Sequence, residues 1–115
     1  MRKIGTDPLL ISMQWAKLQS VVDEASVTLL RTAFSRIVTE ANDYTCALFD
    51  TRGDMIIQST QGLTSFTGVL AVAIKHFLAA FPVAELEPGD CLIMNEPWLG
   101  ASQVNDMHVV TPIFH

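Results

Sequence analysis

Cys91-Leu92-Ile93-Met94-Asn95-Glu96-Pro97-Trp98-Leu99-Gly100-Ala101-Ser102-Gln103-Val104-Asn105-Asp106 decides how the chain is read. An apolar run, Cys91-Leu92-Ile93-Met94, leads in, and a second, Val109-Val110-Thr111-Pro112-Ile113-Phe114, leads out. Between them lie the amides of Asn95, Gln103 and Asn105, the carboxylates of Glu96 and Asp106, and one indole, Trp98. Pro97 and Gly100 set the turn. The pattern is strand, polar loop, strand. Loops held between buried strands commonly carry binding and catalytic groups. The same pattern also suits a plain turn with one core tryptophan and solvated polar groups.

Working outward, the chain has 115 residues, enough for one small domain. Half of them (50%) are hydrophobic and the mean hydropathy is +0.34. That is apolar for a soluble domain of this size, where about 45–50% is usual with glycine included. The surplus implies burial against another chain or membership of a larger body. Net charge is −5, and the seven basic residues are scattered without a stripe, which argues against a nucleic-acid partner. Cys46 and Cys91 match no metal motif and read as buried thiols in strand-like segments, with a disulfide between them as the other option. No run reaches the length of a transmembrane helix or resembles a signal peptide, so the expectation is a cytoplasmic chain without membrane attachment.

Thr6-Asp7-Pro8 is a helix start: Thr6 or Asp7 can cap, and Pro8 suits the first helical position. Ile11, Trp15, Leu18, Val22, Ala25 and Leu29 share one helical face, continued by Ala33 and Ile37. No proline or glycine interrupts residues 9–41, and a helix of about 30 residues would be roughly 45 Å long. Either it breaks near Ser35 and Arg36, or it spans more protein than this chain supplies. Asn42-Asp43 ends it. Residues 44–49 and 55–59 read as a hairpin around Asp50-Thr51-Arg52-Gly53-Asp54. Residues 69–81 read as a second helix, with Thr67 or Ser65 as cap and Val69, Val72, Ala73, His76, Phe77 and Ala80 on one face. Pro88-Gly89 fits the centre of a type II turn. The fold class is α+β: a long N-terminal helix, a β-hairpin, a second helix, then strands flanking the polar loop.

Few side chains read as chemical candidates. Asp106 and His108 point to one side if the segment is extended, though a surface histidine is the simpler reading. Gln103 precedes Asp106 by three positions, but glutamine is a poor transition-metal ligand. Glu40 and Asp43, with Arg31 or Arg36 nearby, read as structural ion pairs. His76 reads as a structural histidine.

These residues resemble the N-terminal signature of the hydantoinase B/5-oxoprolinase family, which includes the large subunits of acetone and acetophenone carboxylases. Asn95-Glu96-Pro97-Trp98-Leu99-Gly100, Asn105-Asp106 and the strand ending Pro112-Ile113-Phe114 are similar to its Asn-Asp-Pro-(Tyr/Trp)-x-Gly-(Gly/Thr)-x-His-x-x-Asp element and following strand. Upstream, Leu30-Arg31-Thr32-Ala33-Phe34-Ser35, Cys46-Ala47-Leu48-Phe49-Asp50 and Pro88-Gly89-Asp90 resemble further family elements in the right order. The resemblance runs from Asp7 to Phe114.

Family members are several times longer, so residues 1–115 resemble the N-terminal portion of a hydantoinase B/oxoprolinase-like domain, a fragment of a larger mixed α/β fold. The resemblance implies an ATP-dependent opening of cyclic amides such as hydantoin or 5-oxoproline, or a related ketone carboxylation. It implies a small-molecule substrate, an oligomer, and ATP handled by a hydantoinase A-like subunit or domain. It implies a divalent transition metal held through histidine and aspartate of the signature, with another histidine further along. Asp106 stands at the aspartate, and Gln103 replaces the histidine. Glu96 replaces an aspartate. Asn95, Glu96, Trp98, Gly100 and Asn105 form the expected framework of the substrate site. Three readings stay open: part of a split or longer subunit, a degenerate non-catalytic binding or scaffold module beside a hydantoinase A-like partner, and an unrelated small domain. The replaced ligand also leads to the expectation that the isolated chain holds no transition metal tightly.

Overall fold

A computed structural model describes residues 7–101 and 103–114. Thr6 as the alternative cap, and Ser102 within the loop, lie outside the described residues. Helix α1 spans Pro8–Thr32. Asp7 caps it: its Oδ1 accepts from the Leu9 N–H at 3.0 Å, and Pro8 occupies the first turn, where a missing N–H costs nothing. The helix breaks at residues 33–35 and resumes as α2, Arg36–Ala41. No proline or glycine marks that break. At the end of α1 the Thr32 hydroxyl donates to the carbonyls of Thr28 and Leu29 (2.9 and 3.2 Å), competing with the backbone ladder. Ala33 and Ser35 are then extended. Asn42, left-handed at φ 53°, ends α2, a conformation its side chain tolerates better than most.

The hairpin strands are β1, Ala47–Phe49, and β2, Met55–Gln58, both shorter than their apolar runs. The ladder gives way to side-chain bonding at its base: Cys46 N–H donates to Ser59 Oγ, while Ser59 N–H still donates to the Cys46 carbonyl at 2.8 Å. Asp50 builds the turn. Its Oδ1 accepts from the N–H groups of Arg52 and Asp54, both at 2.9 Å.

Helix α3 spans Phe66–Ala80, starting three residues before the apolar run at Val69. Ser65 holds the cap position without a side-chain bond, and Thr67, the other expected cap, lies inside the helix. The chain then reaches the turn at Glu87, where Asp90 N–H donates to the Glu87 carbonyl at 3.1 Å and Gly89 takes φ +101°, as a type II turn requires. Strand β3, Leu92–Met94, pairs antiparallel with β4, His108–Val110, in the register Leu92↔Val110, Ile93↔Val109, Met94↔His108. β4 starts one residue earlier and ends sooner than the apolar run 109–114 predicts. Pro112, which lacks an N–H, cannot continue a ladder.

The chain divides into two compact units. One comprises residues up to 48 with 57–63, and its core holds Val22, Tyr44 and Ile57. Gln19 Nε2 donates to the Gln58 carbonyl (3.0 Å) and Asp23 Oδ1 accepts from Thr60 N–H (2.7 Å), fastening α1 to the segment after β2. The other unit comprises residues 49–56 with those from 64 onward, and its core holds Ala73, Ile74, Phe77 and Ala101.

Burial on the two longer helices follows their apolar spacing only in part. On α1 Val22 of the expected face is buried, together with Ser26, whereas Ile11, Trp15, Leu18 and Leu29 of that face are exposed within this chain, as its reading as an interface allows. Polar anchors at Gln19 and Asp23 set that orientation. On α3, Ile74 joins Ala73 and Phe77 in the core, while Val72 and His76 are exposed. The cysteines are both free: Cys46 is half-buried, and burial pushes its thiol pKa up, whereas Cys91, just before β3, is exposed. Among the described residues no helix is long and apolar enough to cross a membrane.

Candidate functional site

The polar loop grows from the β3–β4 ladder, and β4 and α3 are in contact behind it. Asn95 follows β3 directly and closes the loop: its Nδ2 donates to the Val104 carbonyl at 2.9 Å. Glu96 caps a short 3₁₀ turn, Pro97–Leu99. Its Oε1 accepts from Trp98 N–H at 3.3 Å, and its carbonyl accepts from Leu99 and Ala101 N–H at 3.1 and 3.2 Å. The Glu96 carboxylate thus has a structural task.

Gly100 follows at φ +122°, and a Cβ there would lie 3.0 Å from both the Cβ and the backbone nitrogen of Ala73 on α3. Only glycine allows the loop to lie this close to the helix. Trp98 is not a core residue: it is 91% exposed. Asn105 is exposed as well.

The loop's second half turns on Gln103 and Asp106. Asp106 N–H donates to the Gln103 carbonyl at 3.0 Å, and Gln103 Nε2 donates back to Asp106 Oδ1 at 3.4 Å. Two residues on, His108 is 8% exposed on the inner side of β4, which overturns the surface reading. Burial pushes its pKa down, and the Asp106 charge opposes that shift. Its Nδ1 has no hydrogen-bond partner among the described residues. The period of two along β4 could have shown this, since Val109 is exposed and its neighbours turn inward.

The remaining candidates lie elsewhere in the chain. Arg36 and Glu40 form an exposed pair at 3.7 Å on α2. A cluster the sequence reading took only as a turn joins Asp50, Arg52, Asp54 and Lys75. The neighbouring N–H groups and the Arg52 guanidinium hold the Asp50 carboxyl below its usual range. This cluster shapes the hairpin tip.

The donor set does not fit a metal centre. Catalytic zinc sites take three protein ligands. Among the described residues no three of histidine, cysteine, aspartate and glutamate come close enough to hold an ion. Gln103 offers a neutral amide whose nitrogen already serves Asp106.

The fold and loop define an α+β segment that presents a polar, internally tied loop on a helix-backed strand pair. The chain belongs to the hydantoinase B/oxoprolinase family, whose profile matches residues 7–115. It is 31% identical to a 5-oxoprolinase of Pestalotiopsis fici over 94% of this chain and 8% of that protein. It is 30% identical to 5-oxoprolinase of Saccharomyces cerevisiae over 97% of this chain and 9% of that protein. It is 31% identical to caprolactamase subunit beta of Pseudomonas jessenii over 95% of this chain and 18% of that subunit. The chain therefore spans less than a fifth of the length of these relatives. No solved structure matches.

Proposed function

We propose that the chain is the N-terminal part of a hydantoinase B-like subunit in a cytoplasmic, ATP-dependent assembly that opens cyclic amides. Ketone carboxylation is the related chemistry within the same reading. Loop 95–106 carries the proposal: Asn95 ties it, Glu96 caps its turn, and Gly100 seats it on α3, within a chain that matches the family from residue 7 to residue 115. In this reading the loop is one wall of the substrate site. Trp98 offers an exposed indole to a ring or to a neighbouring wall, and Asn105 offers an amide. ATP is handled by a hydantoinase A-like partner, and the names of relatives agree with work in subunits, as in caprolactamase subunit beta.

The exposed apolar face of α1 supports association with such a partner or with the rest of a larger subunit. Co-purification with proteins encoded beside it tests this, followed by assay of ATP-dependent opening of 5-oxoproline, hydantoin and caprolactam. Opening of any of them, lost without this chain, is expected. A stable complex inert toward all three overturns the hydrolase reading. The Gln103–Asp106 bond favours a second reading, a scaffold module that keeps the loop's form without its chemistry.

A further inference from the structure

Loop 95–106 is tied within this chain. Asn95 Nδ2 meets the Val104 carbonyl at 2.9 Å, Asp106 N–H meets the Gln103 carbonyl at 3.0 Å, and Gln103 Nε2 meets Asp106 Oδ1 at 3.4 Å. We infer that a side-chain amide closes this loop in place of a metal ion, so the loop keeps its shape with no divalent cation. The inference rests on reading the loop as the site's framework, and its readout is cation binding, separate from amide opening.

Three features carry the inference. A cation bound at Asp106 Oδ1 would have to displace the amide N–H of Gln103, whose positive edge already compensates that oxygen. The oxygen that the Gln103 side chain can offer is a neutral amide carbonyl, which suits hard ions and competes poorly for first-row transition metals. With Gln103 discounted, Asp106 and His108 leave one carboxylate and one imidazole, short of the three protein donors of a catalytic centre. Residue 103 is therefore the position that decides between an amide clasp and a metal site. An imidazole there would stand three positions before Asp106 and five before His108.

The experiment uses the full chain, Co2+ and Zn2+ as probes, and variants Gln103→His and Gln103→Glu. After desalting, the unaltered chain is expected to retain far less than one metal per chain, with a thermal midpoint indifferent to EDTA. Gln103→His is expected to bind Co2+ at least tenfold tighter and to show visible ligand-field bands. Gln103→Glu removes the donated amide bond and adds a carboxylate, so its midpoint should rise on adding Zn2+. Stoichiometric metal in the unaltered chain, or an EDTA-sensitive midpoint, overturns the inference. So does a failure of both variants to gain metal while circular dichroism shows native helix content.

Discussion

Asn95 and Val104 hold the two limbs of the polar loop together through one hydrogen bond, Nδ2 to carbonyl oxygen at 2.9 Å. They stand nine positions apart, so this bond ties the loop across its span and not within one local turn. Asn95→Ala removes the donor and is expected to cost about 1 kcal/mol, the usual net worth of such a bond. The visible effect should be local. Amide exchange across residues 96–105 should accelerate, while α3 keeps its protection. Uniform acceleration in both regions would argue against a loop-specific tie.

Gly100 gives the second prediction. Its φ of +122° disfavours any side chain, and an added Cβ would press on Ala73 at 3.0 Å. Gly100→Ala combines backbone strain with steric conflict and should destabilise by about 2 kcal/mol or more. Gly89→Ala is the control: its φ is +101°, but open space surrounds it, so only the backbone term remains. In urea titrations Gly100→Ala should lose clearly more than Gly89→Ala. Equal losses would mean that contact with α3 contributes nothing.

Both sites show how far the sequence could be read. Proline, glycine and the amides of residues 95–106 mark a polar loop between strands, and the structure has one. Local chemistry also marks the Asp7 cap, the hairpin turn at Asp50 and the type II turn at Gly89, because each depends on neighbours within four residues. Burial was not legible in the same way. Apolar spacing on α1 puts Ile11, Trp15, Leu18, Val22, Ala25 and Leu29 on one face, yet of these the chain buries only Val22, together with Ser26, near the anchors Gln19 and Asp23. Which face of a helix turns inward depends on distant partners, and periodicity cannot name them. His108, read as a surface residue, is buried, as the period of two along β4 allows, and Trp98, read either as a core indole or as part of the site's framework, is exposed.

His108 makes stability depend on pH. Burial lowers its folded-state pKa below the ordinary 6.5, with Asp106 opposing the shift. Well above pH 6.5 both folded and unfolded chains hold a neutral imidazole, and the contribution is fully present. As pH falls, the unfolded chain binds a proton first, so stability declines until the folded-state pKa is passed. The urea midpoint should therefore drop between pH 7 and pH 5. His108→Gln should flatten that drop without abolishing folding. An unchanged slope would mean that His108 does not carry this acid sensitivity; Asp50 cannot carry it either, because its lowered pKa makes stability fall only below the ordinary carboxylate range, outside this window.

The open face of α1 leads to an association test. Trp15 is 52% exposed and Ile11 47%, on a helix whose first half carries one charged residue, Lys17. Contiguous apolar surface of this kind marks contact with another protein surface. The isolated chain should self-associate in light scattering at micromolar concentration. Trp15→Glu should shift it toward monomer with helix content unchanged. A monodisperse monomer from the unaltered chain would remove the face as an interface between copies.

Ser26 gives a prediction of the opposite sign. Its side chain is fully buried in the middle of α1, and its Oγ has no hydrogen-bond partner among the described residues. A buried hydroxyl without a partner costs roughly 1–3 kcal/mol of desolvation. Ser26→Ala removes that oxygen, leaves almost the same volume, and places the best helix former in a helix interior. The variant should be more stable by about 1 kcal/mol, read as a higher urea midpoint with unchanged slope. Ser26→Val is the contrasting substitution, since it adds bulk where Val22 and Ile57 also lie in the core and should not gain as much. If Ser26→Ala instead loses stability, the hydroxyl is bonded within the protein, and position 26 is a polar anchor like Gln19 and Asp23.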